Sequence, residues 1–247
     1  MTPIELGFYS IVTLIVSIFS GATGGGGGFI LTPLMIFLGL SPAQAIASGK
    51  FGGISVTVGS LLGLREHKVN RHKLQIILMG MAIIIGLVAP NIITSIDSSS
   101  YQKILGLLIL LTSPLIVIKR VGAYRKNISR LRQAAGLALV AVSMFLVAIF
   151  SGGIGIFINI SMMSFLGLNA LDASVIKRSS QIFLNTIIIL GLLGSGLFVW
   201  NVIVVTMITT VIGGYIGGRI ATLKGNSFVN KLIAGVAALS GLALLLG

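Results

Sequence analysis

The chain has 247 residues, 55% of them apolar, with 33 glycines and only 9% charged residues, against roughly 25% charged in an ordinary soluble domain. With four acids and a mean hydropathy of +1.11 it cannot cover its own surface in water, which excludes a soluble enzyme and a disordered basic tail. The formal charge of +13 would point to nucleic acid in a soluble protein, so its distribution along the chain has to decide its meaning.

A membrane span takes about 20 apolar residues, so a chain of this length holds roughly ten spans and no sizeable extramembrane domain. Apolar segments fall at 5–22, 29–40, 43–64, 74–96, 101–118, 134–150, 156–168, 170–195, 201–222 and 228–247. The first is preceded by Glu5 rather than a basic region and is followed by more apolar sequence, so it reads as a retained span and not a cleaved signal. Segments 29–40 and 156–168 have only 12 and 13 residues. As helices they reach about 18–20 Å, short of the ~30 Å hydrocarbon core, and are read as broken or partial helices. The fold class expected is all-α: a polytopic transmembrane helical bundle with short broken helices.

The polar breaks set the orientation. The loops 65–73 and 119–132 hold ten of the seventeen basic residues, and Arg219, Lys224 and Lys231 mark a third basic turn. The positive-inside rule places all three on the cytoplasmic side. The breaks at 97–100 and 196–200 carry no basic residue and are read as external. The charge is thus an orientation signal, and no nucleic acid is expected. Trp200 and Tyr101, at span ends, read as interface anchors. His67 and His72 lie in the first basic loop without an acidic cluster and read as loop residues.

Shifting the chain by 128 residues aligns Thr23–Lys50 with Ser151–Arg178 without a gap and with 11 identities in 28 positions. The matches include Gly24/Gly152, Gly25/Gly153, Gly27/Gly155 and a shared FLGL that ends each short segment. Under the same shift a basic loop falls on an uncharged one and an external break on a basic turn. Equivalent loops therefore face opposite sides, which an odd number of crossings per half produces. The expected organisation is repeat 1 over 1–118, a basic cytoplasmic linker over 119–133 and repeat 2 over 134–247, inverted, with both termini external. Inverted repeats with paired interrupted segments are a transporter pattern, with the substrate held where the two breaks meet.

The glycine runs Gly24, Gly25, Gly26, Gly27, Gly28 and, after Ser151, Gly152, Gly153 and Gly155 each open a short segment. Free amides at a helix start, with the positive end of the dipole, form an anion site; close helix packing is the other use of small residues in membranes. Two runs at equivalent places favour the site. No Lys-Ser/Thr follows either run, so a nucleotide P-loop is excluded. Lys50 lies seven residues into its span, and Arg178 occupies the equivalent position with Lys177 beside it. A charge at such depth costs at least ~2.5–3.5 kcal/mol and faces a cavity or snorkels to the interface. The acids Glu5, Glu66, Asp97 and Asp172 lie at ends, loops or a span start, so none is placed to neutralise these cations deep in the membrane. Unpaired cations suit an anionic substrate. Gln181 and Asn185 follow Arg178 at about one-turn spacings and either extend a polar stripe or make interhelical hydrogen bonds. No catalytic residue, metal cluster or cofactor motif is found, and cysteine is absent.

The run GGGGGFILTPLMIFLGLSPAQAIAS, residues 24–48, resembles the sulfite exporter TauE/SafE family of membrane transporters. The likeness lies in the glycine-rich turn, the proline a few residues on, the short helix ending in Gly and the alanine-rich continuation. Ser161 stands in the second copy where the first has Pro33. The resemblance implies gradient-driven rather than ATP-driven transport of sulfite, organosulfonates or related small anions across the cytoplasmic membrane. The partners expected are a small anionic substrate, the lipid bilayer, a coupling proton or ion and a second copy of the chain. A passive anion channel is the alternative.

Overall fold

A computed structural model describes residues 2–64, 69, 71–95, 97, 128–150 and 155–245, with side chains for all of these except residues 29 and 233–245. Among the described residues there are eight α-helices and no strand: α1 (Pro3–Thr23), α2 (Gly28–Phe37), α3 (Pro42–Gly63), α4 (His72–Ser95), α5 (Arg130–Phe150), α6 (Gly155–Phe165), α7 (Ala170–Gly191) and α8 (Trp200–Leu245). Five of them are long and apolar enough to cross a bilayer: α1, α3, α4, α5 and α8 over Trp200–Leu232. The expected segment 101–118, most of the basic loops at 65–73 and 119–132, and Ser151, Gly152 and Gly153 lie outside the described residues.

Local sequence explains where the helices start. Thr2 caps α1: its Oγ1 accepts from the Glu5 N–H at 3.3 Å and the Glu5 carboxylate accepts from the Thr2 N–H at 2.7 Å, with Pro3 at the first position. Ser41 and Gln44 make the same reciprocal pair ahead of α3, at 3.2 and 3.0 Å, with Pro42 in the first position. Asn169 opens α7 by accepting from the Asp172 N–H at 2.8 Å. The short expected segments are helices of 10 and 11 residues, α2 and α6.

Three expected boundaries move. The segment read from residue 134 begins at Arg130, where Arg132 donates to the Ser164 carbonyl at 2.6 Å, at the end of α6. A cation there meets carbonyls that the helix itself leaves unpaired. The segment read to residue 195 stops at Gly191, ahead of Gly194 and Gly196 with φ of 84° and 71°. The gap read between the last two segments, 223–227, is helical but for Gly225 (φ 71°, ψ −173°), where α8 breaks into two helices.

The helix bounds recur at the same 128-residue offset as the sequence: α3 shifted by 128 gives 170–191, the bounds of α7, and α1, α2 and α4 shifted likewise match α5, α6 and the start of α8 within one residue. The packing exchanges the two sets. α3 and α1 lie against α8, whereas α7 and α5 lie against α4, and α3 meets α7 at the centre. The larger core is built from α4, α5, α6 and α7, with Leu78, Ala82, Met144, Met162, Leu184 and Ile188 fully buried. A smaller one gathers Tyr9, Met35, Leu40, Ala45 and Val202. At the start of α8 the Phe198 and Trp200 rings meet Phe51 of α3 edge-on at 5.2 and 5.9 Å. Outward-facing Ile11, Ile15, Phe19, Ile76, Ile84, Leu87, Val204 and Ile208 are exposed in the isolated chain, a greasy girdle that only lipid can cover.

Candidate functional site

The site begins with the chain break between α1 and α2. α1 ends in a left-handed Gly24 (φ 78°), and Gly26 (φ 101°) turns the chain again before α2 starts at Gly28. A side chain at Gly24 would strike the Ser174 hydroxyl and stand 2.9 Å from Asn159 Nδ2. The turn is therefore packed against α6 and α7 with no room to spare. Gly25 faces Gly155 of the second run: a Cβ on Gly25 would lie 3.2 Å from the Gly155 carbonyl carbon. The first turn thus lies against the start of α6.

Lys50, Lys177 and Arg178 are all buried, at 4%, 1% and 2% exposure. Snorkelling is thus not how they are accommodated. Lys50 donates to the carbonyls of Val147 (3.0 Å) and Ala148 (2.6 Å) near the end of α5. Arg178 donates from Nη2 to the carbonyl of Gly21 near the end of α1. The last carbonyls of a helix have no partner within it and carry the negative end of its dipole. Each cation of a third helix therefore caps the first helix of the opposite set. Lys177 donates to the carbonyls of Gly24 and, at 2.7 Å, of Gly155.

Beside these cations lies a cavity of about 80 Å³, well above the ~10–15 Å³ that a single water requires. Its walls come from six helices and the first glycine turn. Ser17, Ser20, Gly24, Gly25, Gly27 and Gly28 form one side; Lys50, Gly53 and Thr57 of α3, Arg178, Gln181 and Asn185 of α7, and Thr206 and Thr210 of α8 form much of the rest. Glycines of α3 make the space: a Cβ on Gly53 would be 2.5 Å from Asn185 Nδ2, and one on Gly52 2.6 Å from the Thr206 methyl. Two buried polar atoms of wall residues have no hydrogen-bond partner, Arg178 Nη1 and Ser17 Oγ.

Of the residues singled out from sequence, Gly24, Gly25, Gly27, Gly28, Lys50, Arg178 and Gln181 stand on this wall, and Gly26 and Gly155 do not. Gly155 instead holds Lys177. Asn185 is buried on the wall as well. His72 is exposed at the start of α4, and no group of three or more His, Cys, Asp or Glu that could hold a metal ion occurs among the described residues. Sequence reasoning passed over Ser17, Thr57, Thr206 and Thr210. Their signal was present, since Ser17 lies one turn before Gly21 and Thr206 and Thr210 are one turn apart, but hydroxyls in apolar helices are too common to single out. The Thr206 hydroxyl is within 2.8 Å of the Tyr9 hydroxyl, a buried pair that joins α1 to α8.

The family model described as "Sulfite exporter TauE/SafE" matches residues 9–244. The chain belongs to the TauE/SafE family. Relatives of known sequence agree with this. A probable membrane transporter protein of Haemophilus influenzae is 26% identical, over 88% of this chain and 86% of its own length. The probable membrane transporter protein YfcA of Escherichia coli K12 is 22% identical over 99% and 91%, and the probable membrane transporter protein ORF9 of a Sinorhizobium species 25% over 93% and 90%. No solved structure matches. Membership in this transporter family, with the five long apolar helices, makes the chain a multi-pass membrane protein.

Proposed function

We propose that the protein is a secondary transporter that moves a small sulfur-containing anion, sulfite, an organosulfonate or a near relative, across the cytoplasmic membrane by alternating access of two inverted halves, residues 1–118 and 134–247, with both termini outside. The observation that carries the reading is Arg178 Nη1: a guanidinium nitrogen, buried and without a partner, on a residue that lines the cavity. An unpaired buried donor of this kind is costly unless something arrives to accept from it. An oxyanion fits, because its oxygens accept hydrogen bonds and its charge matches a guanidinium that cannot give up its proton.

The chemistry of binding follows from the wall. Arg178 Nη1 and the Ser17 hydroxyl donate to the anion's oxygens, and the amides of Gln181 and Asn185 supply further donors. The start of α2 adds its dipole and free amides through Gly27 and Gly28. Lys50 contributes charge more than contact, because its ammonium is already engaged by two carbonyls. Among the described residues no group on the wall is a carboxylate, which suits an anion and disfavours a metal cation as substrate.

The test is sulfite and sulfonate flux in proteoliposomes. Arg178→Ala is expected to lower flux at subsaturating anion by roughly 10–100-fold, the worth of one charge-assisted hydrogen bond, and Lys50→Ala by less. Wild-type flux in Arg178→Ala would remove the proposed site. Flux that never saturates and gives no uphill accumulation would mark a passive anion channel instead. For the topology, cysteine labelling at residues 68 and 198 in the cysteine-free background should come from opposite sides of the membrane.

A further inference from the structure

Ser60 of α3 is buried, stands off the cavity wall and has no role in the reading above. Its hydroxyl does not turn back to its own helix, as the Thr57 hydroxyl does by donating to the Gly53 carbonyl at 2.6 Å. It crosses to α1 and donates to the Gly21 carbonyl at 2.7 Å. That oxygen belongs to the last turn of α1, where the helix leaves its carbonyls without partners, and it has two lone pairs to fill. Arg178 Nη2 donates to the same oxygen. The acceptor is held in place: a Cβ on Gly21 would stand 2.6 Å from the Gly214 carbonyl oxygen, and one on Gly218 3.0 Å from Ser60 Oγ. One fixed carbonyl thus takes a hydrogen bond from the serine and another from the guanidinium, whose Nη1 is left without a partner. The other half of the chain differs at this point. The position equivalent to Ser60 is Ile188, which has no hydroxyl, and there the cation Lys50 engages two carbonyls, Val147 and Ala148.

We propose that Ser60 is a positioning residue for anion binding, an inference that rests on the reading of Arg178 Nη1 as the anion's donor. By filling one lone pair of the Gly21 carbonyl, the serine denies that lone pair to the guanidinium, and Nη1 stays unpaired until an anion accepts from it. A guanidinium presents its N–H groups as a planar fork, and a carbonyl with both lone pairs open accepts from two of them. Without the Ser60 hydroxyl the fork closes on Gly21, and the nitrogen that would meet the anion is drawn away.

The experiment measures KM and maximal rate for sulfite and ethanesulfonate influx into proteoliposomes. The proteins compared are wild type, Ser60→Ala, Ser60→Cys, Arg178→Ala and the double variant Ser60→Ala/Arg178→Ala, with Gly86→Ala as a control of comparable stability from another helix interface. Ser60→Ala should raise KM by roughly 3–10-fold, as expected for one hydrogen bond, with the maximal rate within about twofold of wild type. Ser60→Cys, a weaker donor, should fall between the two, and it carries the test if Ser60→Ala yields too little folded protein. Gly86→Ala should keep the wild-type KM, since a loss of stability alone does not move it. In the Arg178→Ala background Ser60→Ala should leave KM unchanged, because the serine acts only through the guanidinium. An unchanged KM in Ser60→Ala, an equal rise in Gly86→Ala, a full Ser60 effect that persists without Arg178, or no folded protein from either Ser60 variant would overturn the proposal. Where Arg178→Ala raises KM and Ser60→Ala does not, only the role of Ser60 falls. Where Arg178→Ala keeps the wild-type KM, or wild type carries neither anion, the anion reading falls and takes the role of Ser60 with it.

Discussion

The two helix interfaces related by the 128-residue offset are built from different materials. On one side α8 meets α1 and α3 through Gly213, Gly214, Gly217 and Gly218, and the contacts are backbone on backbone. A Cβ on Gly214 would stand 2.5 Å from the Val56 carbonyl oxygen and one on Gly213 2.7 Å from that of Leu14, while Gly217 and Gly218 lie tighter still against Ile18 and Ser60. On the other side α4 meets α5 and α7 with Ile85, Gly86, Ala89 and Pro90 at the matching positions. There a Cβ on Gly86 would find the Ile187 side chain at 3.0 Å, and Gly191 faces the Pro90 ring. Helices in lipid associate by close packing rather than by escape from water. The glycine interface has a single fit, whereas the aliphatic one is made of side chains that can change rotamer. The protein therefore has a rigid seam and a yielding one, and the yielding seam is the one between α4, α5 and α7.

The sharpest way to break that contrast is a matched pair of substitutions. Gly217→Ala drives a methyl into the backbone of Ile18 and Ala22, with Ala22 N at 2.7 Å, and should cost about 3 kcal/mol or prevent assembly. Gly86→Ala meets the Ile187 Cβ and Cγ2 at 3.0 Å and the Leu184 carbonyl oxygen only at 3.4 Å, and should cost about 1 kcal/mol. Thermal unfolding in detergent measures both, and equal losses would erase the distinction. A smaller effect is expected from Ser60→Ala. The Ser60 hydroxyl donates to the Gly21 carbonyl at 2.7 Å, bracing α3 on α1, and its loss should lower stability by about 1 kcal/mol. Tyr9→Phe, which ends the 2.8 Å bond to Thr206, should cost about 0.5–1 kcal/mol in the same assay. Least perturbing is native-state amide exchange: α1 and the first half of α8 should exchange more slowly than α4, because the tight seam opens last.

Much of the fold was legible because hydropathy and capping act locally. Ser41-Pro42 and Asn169 announce helix starts by their own hydrogen bonds, and the shortness of the segments at 29–40 and 156–168 was enough to predict α2 and α6. The candidate site was legible in part. Lys50 and Arg178 share a repeat position, and burial in an apolar span is a property of the chain around them. Lys177 was legible as a deep cation beside Arg178 but not as a binding residue, because its equivalent in the first half is Gly49 and repeat logic passes over a residue without a counterpart. Its place arises from where its helix face points, about 100° from Arg178, and that depends on how α7 is rotated against the first glycine turn and the start of α6. Gly213 to Gly218 escaped for the same reason: a close seam needs two surfaces, and only one of them is written in those six residues. The five glycines from Gly24 to Gly28 look uniform in sequence, but Gly24 ends a helix, Gly25 clears space for an ammonium and Gly27 and Gly28 line the cavity.

The ring cluster at the start of α8 gives the protein an optical gauge. Trp200 is the sole tryptophan of the chain and stands edge-on to Phe51 of α3 and to Phe198, each at 5.9 Å. Its emission therefore reports on the spacing of α3 and α8 with no label attached. If that seam stays shut while anions cross, the tryptophan signal should hold steady through turnover. The light from one indole would then tell which half of the protein stands still.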